Sequence, residues 1–209
     1  MIPRPERPPE PPIALSKVLV AEGMDCVYFI EAFLKDLHLS EGIEVRDFGA
    51  REDLHSALPA LVRMSGFEKV ESLGIVLDAE TQGVDATFES VLGSLNRSGL
   101  PRPDAPATRS EGSPTVSVFI LPDCTRKGML ETLCRQAAAA DRLGHCVDEY
   151  LQCVEQVRDR PRNMDKAWVH TFLSAQGEPG LLLGQAASRG YFPRNSPVFN
   201  DLRRFLQDI

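Results

Sequence analysis

The sequence predicts an α/β fold: a mostly parallel central sheet flanked by helices, with a mainly helical C-terminal extension. Between residues 17 and 140, short β-branched or continuously apolar runs alternate with stretches of helical spacing, the pattern of strand–helix–strand units. Two of the runs, LGIVL at 73–77 and TVSVFIL at 115–121, are almost unbroken apolar segments, as strands covered on both faces must be. Beyond residue 140 the strand signals stop and helical spacing continues to the end.

The elements follow in order. Residues 3–12 (PRPERPPEPP) hold six of the 16 prolines. Proline removes backbone donors and fixes an extended conformation, so residues 1–15 are expected to form a disordered Pro-rich tail, with a ligand for a Pro-binding domain as the alternative. Lys17–Ala21 (KVLVA) is the first expected strand, and Asp25–Leu37 the first helix, with Val27, Ile30, Phe33, Leu34 and Leu37 on one face. Ile43–Phe48 reads as a strand and Glu52–Met64 as a helix carrying Leu54, Leu58, Leu61 and Val62. Leu73–Leu77 is the third strand, Asp85–Leu95 the third helix, Thr115–Leu121 the fourth strand and Gly128–Ala140 the helix after it. The Pro/Ser/Gly stretch from Asn96 to Pro114 is a long loop, of a length that is usually mobile or lies beside a site. These signals place an α/β core at 16–140 and a helical segment packed on it at 141–209, with helices expected at Cys146–Val157, Lys166–Ala175 and Phe199–Leu206.

Composition bounds the function. The chain has 209 residues, 43% apolar and 25% charged, ordinary values for a globular protein with a real core. No run reaches the roughly 18–20 apolar residues of a membrane span, and no basic-then-apolar leader opens the sequence, which argues against membrane insertion and secretion. The net charge of −7 argues against a protein that coats nucleic acid by bulk charge. That charge is uneven: the segment from Arg158 onward is +3 and the preceding 157 residues are −10. Such a split suits a metal-holding carboxylate cluster approached by cations from the C-terminal part, or a plain fluctuation of surface charge. The five cysteines (Cys26, Cys124, Cys134, Cys146, Cys153) form no CxxC pair and read as small buried hydrophobes in a reducing compartment, so the cytoplasm is the expected location. Four scattered histidines offer no ligand spacing.

In an open parallel sheet, ligands gather at the carboxyl ends of the strands. Acidic residues follow all four expected strands: Glu22 and Asp25, then Asp47, then Asp78 and Glu80, then Asp123. Carboxylates crowded along one edge repel one another unless a cation sits among them, and an all-oxygen donor set points to Mg2+ or Mn2+. The bland alternative is that Asp25, Asp85 and Asp123 only favour the helices and turns that they begin. Gly23, directly after the first strand, permits a tight turn and close approach of phosphate to the backbone, and Gly83 has the simpler reading of a loop end. Trp168 and Tyr191 could stack on a base, although lone aromatics at helical spacing are more often core.

The segments VLVAEGMD and GIVLDAE resemble the first strand with its Glu-Gly-x-x-Asp and the DxD motif of TOPRIM domains, the metal-binding catalytic domains of topoisomerases, primases and OLD-family nucleases. The second DxD position here is Glu80, which keeps the charge but adds a methylene. With FILPD…GMLE, the lysine of DKAWVHTFLSAQ, GQAASRGYF and the closing FLQ, the chain from about 16 to 209 resembles a little-characterised bacterial family of OLD-like TOPRIM proteins. The resemblance implies a TOPRIM/Rossmann-like sheet and a metal set of Glu22, Asp25, Asp78, Glu80 and Glu131. Glu22 would also serve as general acid or base, and Lys166 would neutralise charge developing on a phosphate; a lysine beginning a helix is otherwise simply solvated.

Two functional readings follow. The first is a Mg2+- or Mn2+-dependent phosphoryl-transfer enzyme acting on phosphodiester bonds of nucleic acid, for which only the Arg158, Arg160, Arg162 run offers a basic track. The second is a non-catalytic TOPRIM-like metal- or nucleotide-binding or interaction module in a multi-protein system. OLD-like proteins commonly join this domain to an ATPase, and no GxxxxGK[ST] loop is present here, so an ATPase or defence-system partner would be a separate chain.

Overall fold

The computed structural model describes residues 11–209. Four strands form one wholly parallel sheet: β1 (Lys17–Ala21), β2 (Glu44–Asp47), β3 (Ser72–Asp78) and β4 (Thr115–Leu121), in the order β2-β1-β3-β4. Leu19 lies opposite both Val45 and Gly74, and Val76 opposite both Ala21 and Phe119. Side chains alternate across a strand, so each run feeds two cores. Leu19, Ala21, Val76, Phe119 and Leu121 face one, while Val18, Val20, Ile75, Leu77, Val118 and Ile120 face the other. Burial on both faces explains why β3 and β4 read as unbroken apolar runs.

The two layers of helices are unequal. On one face lie α2 (Leu54–Val62) and α3 (Val84–Arg97), which bury Leu54, Leu58, Leu61, Phe88, Val91 and Leu95. On the other lie α1 (Gly23–Asp36), α4 (Leu130–Ala138), α5 (Arg142–Val157), α6 (Met164–Ser174), α7 (Leu183–Ser188) and α8 (Asn200–Asp208). Phe29, Phe33 and Phe199 pack ring to ring in this layer, their centroids 4.8–5.8 Å apart, so the C-terminal helices share the core of the strand–helix units. At Gly184, a Cβ would lie 2.6 Å from the carbonyl oxygen of Asp25 and 2.8 Å from the amide of Phe29, so only glycine lets α7 seat against α1.

Several sequence expectations are corrected here. Residues 1–10 of the expected tail lie outside the described residues, but its end is packed: Ile13 is buried, its amide donates to Ser65 (2.9 Å), and Arg46 donates to the carbonyls of Pro11 and Pro12. The apolar Ile13 side chain supplies the reason, since it joins the α2–α3 core. The long loop before β4 is neither loose nor near the carboxyl ends of the strands. Ala107 and Ser110 donate to Val118 and Val116, pairing the loop with the first half of β4 and closing that edge of the sheet. The cysteines are all free, yet only Cys26 and Cys134 are buried; Cys146 and Cys153 are exposed on α5. The short helix α7 lies in GQAASRGYF, where no helix was expected. Among the described residues no helix is long and apolar enough to cross a membrane.

Candidate functional site

Parallel strands bring all their carboxyl ends to one edge, and the turns leaving β1 and β3 set the site there. Ala21 ends β1, and Gly23 then turns the chain at φ +79° into α1. Asp47 fixes that turn: its Oδ1 accepts from the amides of Gly23 (3.0 Å) and Gly49 (2.7 Å), tying the exits of β1 and β2 together. Glu22 occupies the junction. Its carboxylate accepts from the amide of Asp78 (3.2 Å) and from the backbone of Arg51. The Asp78 carboxylate accepts from the amide of Leu130 (2.9 Å) at the start of α4, which sets Glu131 beside it. Glu80 follows in a left-handed conformation (φ +47°), its amide donating to Gly128 (2.6 Å) and its side chain exposed.

The far wall comes from α6 and α7. Asn163 caps α6 by accepting from the amide of Lys166 (2.9 Å). Lys166 then reaches Glu131 at 3.5 Å. Directly beside this pair, Thr132 donates to Asp165 (2.6 Å) and Arg135 to the same carboxylate (2.9 Å), fastening α4 to α6. Asp25, on the first turn of α1, accepts from the amide of Gly184 in α7 (3.4 Å). Glu22, Asp25, Asp78, Glu80, Glu131 and Lys166 thus all line one cleft of about 360 Å³.

The electrostatics of the cleft are unbalanced. Burial, reinforced by the charges of Glu22 and Glu131, pushes the Asp78 carboxyl up to about 8, against the pull of the Leu130 amide. Burial also raises Glu22, with the Asp78 amide and the nearby Arg51 pulling the other way and Glu80 adding repulsion. Excess negative charge and oxygen donors suit a hard divalent cation. Among the described residues no three His, Cys, Asp or Glu side chains converge closely enough to form a ready cage, so a cation held here requires the carboxylates to rotate towards it.

Other residues of interest lie elsewhere. Asp123 accepts from Thr125 and Arg126 within its own turn, and Asp85 sits in the first turn of α3, outside the cleft. Gly83 takes φ +95° just before α3. Trp168 is buried, with Nε1 donating to Asp148 (2.9 Å), and the Tyr191 hydroxyl accepts from the amide of Glu178 (3.1 Å). Arg158, Arg160 and Arg162 do not line the cleft.

Sequence reasoning missed two residues. His170 shares the cleft, and its place four residues after Lys166 was the available signal, since the two lie on one helical face. Arg51 donates through Nη2 to the carbonyl of Asp78, while its buried Nε and Nη1 have no partner among the described residues; no local pattern in DFGAR marks it.

Comparison with known proteins adds a family. No curated protein matches the sequence. Among solved structures, the chain is similar to the C-terminal region of the Xanthomonas campestris pv. campestris OLD protein. The structure phased with iodine shows 16% identity and a TM-score of 0.47, and the one phased with mercury 14% and 0.47; each match covers 93% of this chain and 95% of that one. The family model described as "Protein of unknown function (DUF3226)" matches residues 16–209, and the chain belongs to that family.

Proposed function

We propose that the protein is a Mg2+- or Mn2+-dependent phosphoryl-transfer enzyme acting on phosphodiester bonds of nucleic acid. One observation carries this reading: Glu22, Asp78 and Glu131 crowd one edge of the sheet, where burial, and after it the charges of Glu22 and Glu131, pushes the Asp78 carboxyl up to about 8. Glu22, Asp78 and Glu131 would hold the cation, with Asp25 and Glu80 at the rim. A bound divalent ion there supplies Lewis-acid polarisation of a phosphoryl oxygen. The chain's own groups do the rest. Lys166 is 54% exposed and anchored at a helix start, so its ammonium can leave Glu131 for a phosphate oxygen and neutralise charge as it develops. Glu22, fixed by two backbone amides, is placed to hold or give up a proton at its carboxylate.

The second reading, a metal- or nucleotide-binding or interaction module without turnover, draws on Glu80. That residue stands where the resembling motif has Asp, and its side chain is exposed. Titration of Mn2+ into the wild type and Asp78→Asn, by calorimetry or paramagnetic resonance, tests the site common to both. Saturable binding abolished by the substitution is expected, and no binding by the wild type overturns the first reading and the metal-binding form of the second, leaving the interaction module. Cleavage of DNA or RNA by the wild type but not by Glu22→Gln then selects the first.

A further inference from the structure

Helix α5 carries an apolar stripe that the described residues leave uncovered. Cys146, Tyr150, Cys153 and Val157 are all exposed, Tyr150 at 56% and Val157 at 74%. Their spacing of four, three and four residues places them on one line along the helix. The buried residues Gly144, Val147 and Leu151 lie about 120° away around the helix. Gly144 lets that side approach Trp168, since a Cβ there would lie 3.2 Å from the indole. The helix therefore seats one face on the core and presents a second apolar line outwards.

The stripe fits itself. We propose that it is the interface with a second copy of this chain, formed by antiparallel packing of α5 on α5 about a twofold axis. Antiparallel packing sets Tyr150 against the partner's small Cys153 and Val157 against the partner's small Cys146, a large side chain into a small one at every level. Parallel packing would instead oppose Tyr150 to itself and Val157 to itself. Charge favours the same direction. Asp148 and Glu155 lie on the far side of the helix and are paired with Arg135 and Arg160; of the other charges, Asp141, Arg142 and Glu149 give the N-terminal half −1, and Arg158, Asp159 and Arg162 give the C-terminal end +1. Antiparallel helices place these unlike ends together and oppose their dipoles, which gives the arginine run a role away from the cleft. The stripe is about 16 Å long, so the interface falls at the small end of specific ones and the dimer should depend on concentration.

Sedimentation of the full chain under reducing conditions, from about 1 to about 200 µM, should show a reversible monomer–dimer equilibrium. Tyr150→Glu and, separately, Val157→Ser should weaken it by about tenfold or more with an unchanged circular dichroism spectrum. The double variant Cys153→Ser, Val157→Cys should cross-link on mild oxidation between Cys146 of one chain and position 157 of the other, identified by mass spectrometry. A chain monomeric throughout, or a dimer indifferent to both stripe substitutions, overturns the proposal. Cross-links joining only like positions overturn the antiparallel arrangement.

Discussion

Two cavities of nearly equal size differ entirely in how their charges are resolved. One, of about 340 Å³, lies between the edge strand β2 and α2 and is lined by Val20, Phe48, Leu58, Leu61 and Met64, with Arg46 and Asp47 at its margin. Its charges are answered locally. Arg46 donates to Glu44 (2.7 Å) and to two carbonyls, and Asp47 accepts from two amides. Burial works against the Glu44 carboxylate, yet the Ala14 amide and the Arg46 guanidinium outweigh it and hold the group below the usual carboxylate range. The other cavity, about 360 Å³, gathers five carboxylates with Lys166 as the cation on its wall, and Asp78 moves in the opposite direction. Volume does not separate the two; unresolved charge does, and on that charge rests the proposal that the acidic cleft takes the ligand.

The difference can be broken from either side, and the apolar side should give the larger effect on stability. Leu58 is buried at 1% exposure between α2 and the sheet. Leu58→Ala should destabilise the fold by about 3 kcal/mol, from lost burial plus the cavity left behind. Urea denaturation measures this, and the affinity for Mn2+ per folded molecule should not change. A coupled loss of affinity would show that the two cavities are not independent.

Asp78→Asn should do the reverse. Affinity for Mn2+ should fall by about 100-fold or more, since even residues that merely support metal ligands cost about 10–100-fold. Stability should respond to pH instead. The Asp78 carboxyl binds its proton more tightly in the folded chain, near 8, than in the unfolded chain, near the ordinary value of 3.8. The protonated form therefore favours folding: this stabilisation is complete below about pH 4 and is lost as pH rises through about 8. The wild type without metal should thus lose denaturant midpoint between pH 5.5 and 8.5 relative to Asp78→Asn, and saturating Mn2+ should restore it at pH 8.5.

Which parts of this molecule the sequence announces follows from the range of each interaction. The sheet is legible because each strand carries its own signature: burial on both faces forces LGIVL and TVSVFIL to be apolar throughout. The acids are legible because each sits at a strand's carboxyl end or within four residues beyond it, and parallel topology does the rest. Glu131 and Lys166 were found only through the resemblance; their proximity depends on α4 meeting α6, which no local pattern encodes. Arg51 and α7 escaped for the same reason. Arg51 matters through a contact with Asp78, 27 residues away, and α7 is a six-residue helix held by its fit to α1. The cysteines show the converse error: Cys146 and Cys153 are apolar residues on an amphipathic helix, but they occupy its outer line.

That close fit of α7 offers a substitution acting on the acidic side through packing alone. Gly184→Ala drives a Cβ into the Asp25 carbonyl and the Phe29 amide, backbone atoms that cannot step aside. The expected cost is about 1–3 kcal/mol, the ordinary range for overpacking. Because the Gly184 amide also holds the Asp25 carboxylate, Mn2+ affinity should drop several-fold, far less than for Asp78→Asn. A variant of unchanged stability would mean that α7 can lift from α1 at no cost.

The smallest effect on folding should accompany a clear effect on function, and it separates the cleft's cation from its anions. Lys166 is more than half exposed, and its contact with Glu131 at 3.5 Å is an ordinary surface ion pair. Such pairs contribute about 0–1 kcal/mol, so Lys166→Met should shift stability by no more than about 0.5 kcal/mol. Removing the lysine leaves the negative charge of Glu131 less compensated, which should tighten Mn2+ binding slightly. Turnover on nucleic acid should nevertheless fall steeply if, as proposed, the ammonium is the group offered to the phosphate. Weaker metal binding in Lys166→Met, with turnover intact, would assign the lysine to holding α4 and α6 in place and remove it from the chemistry.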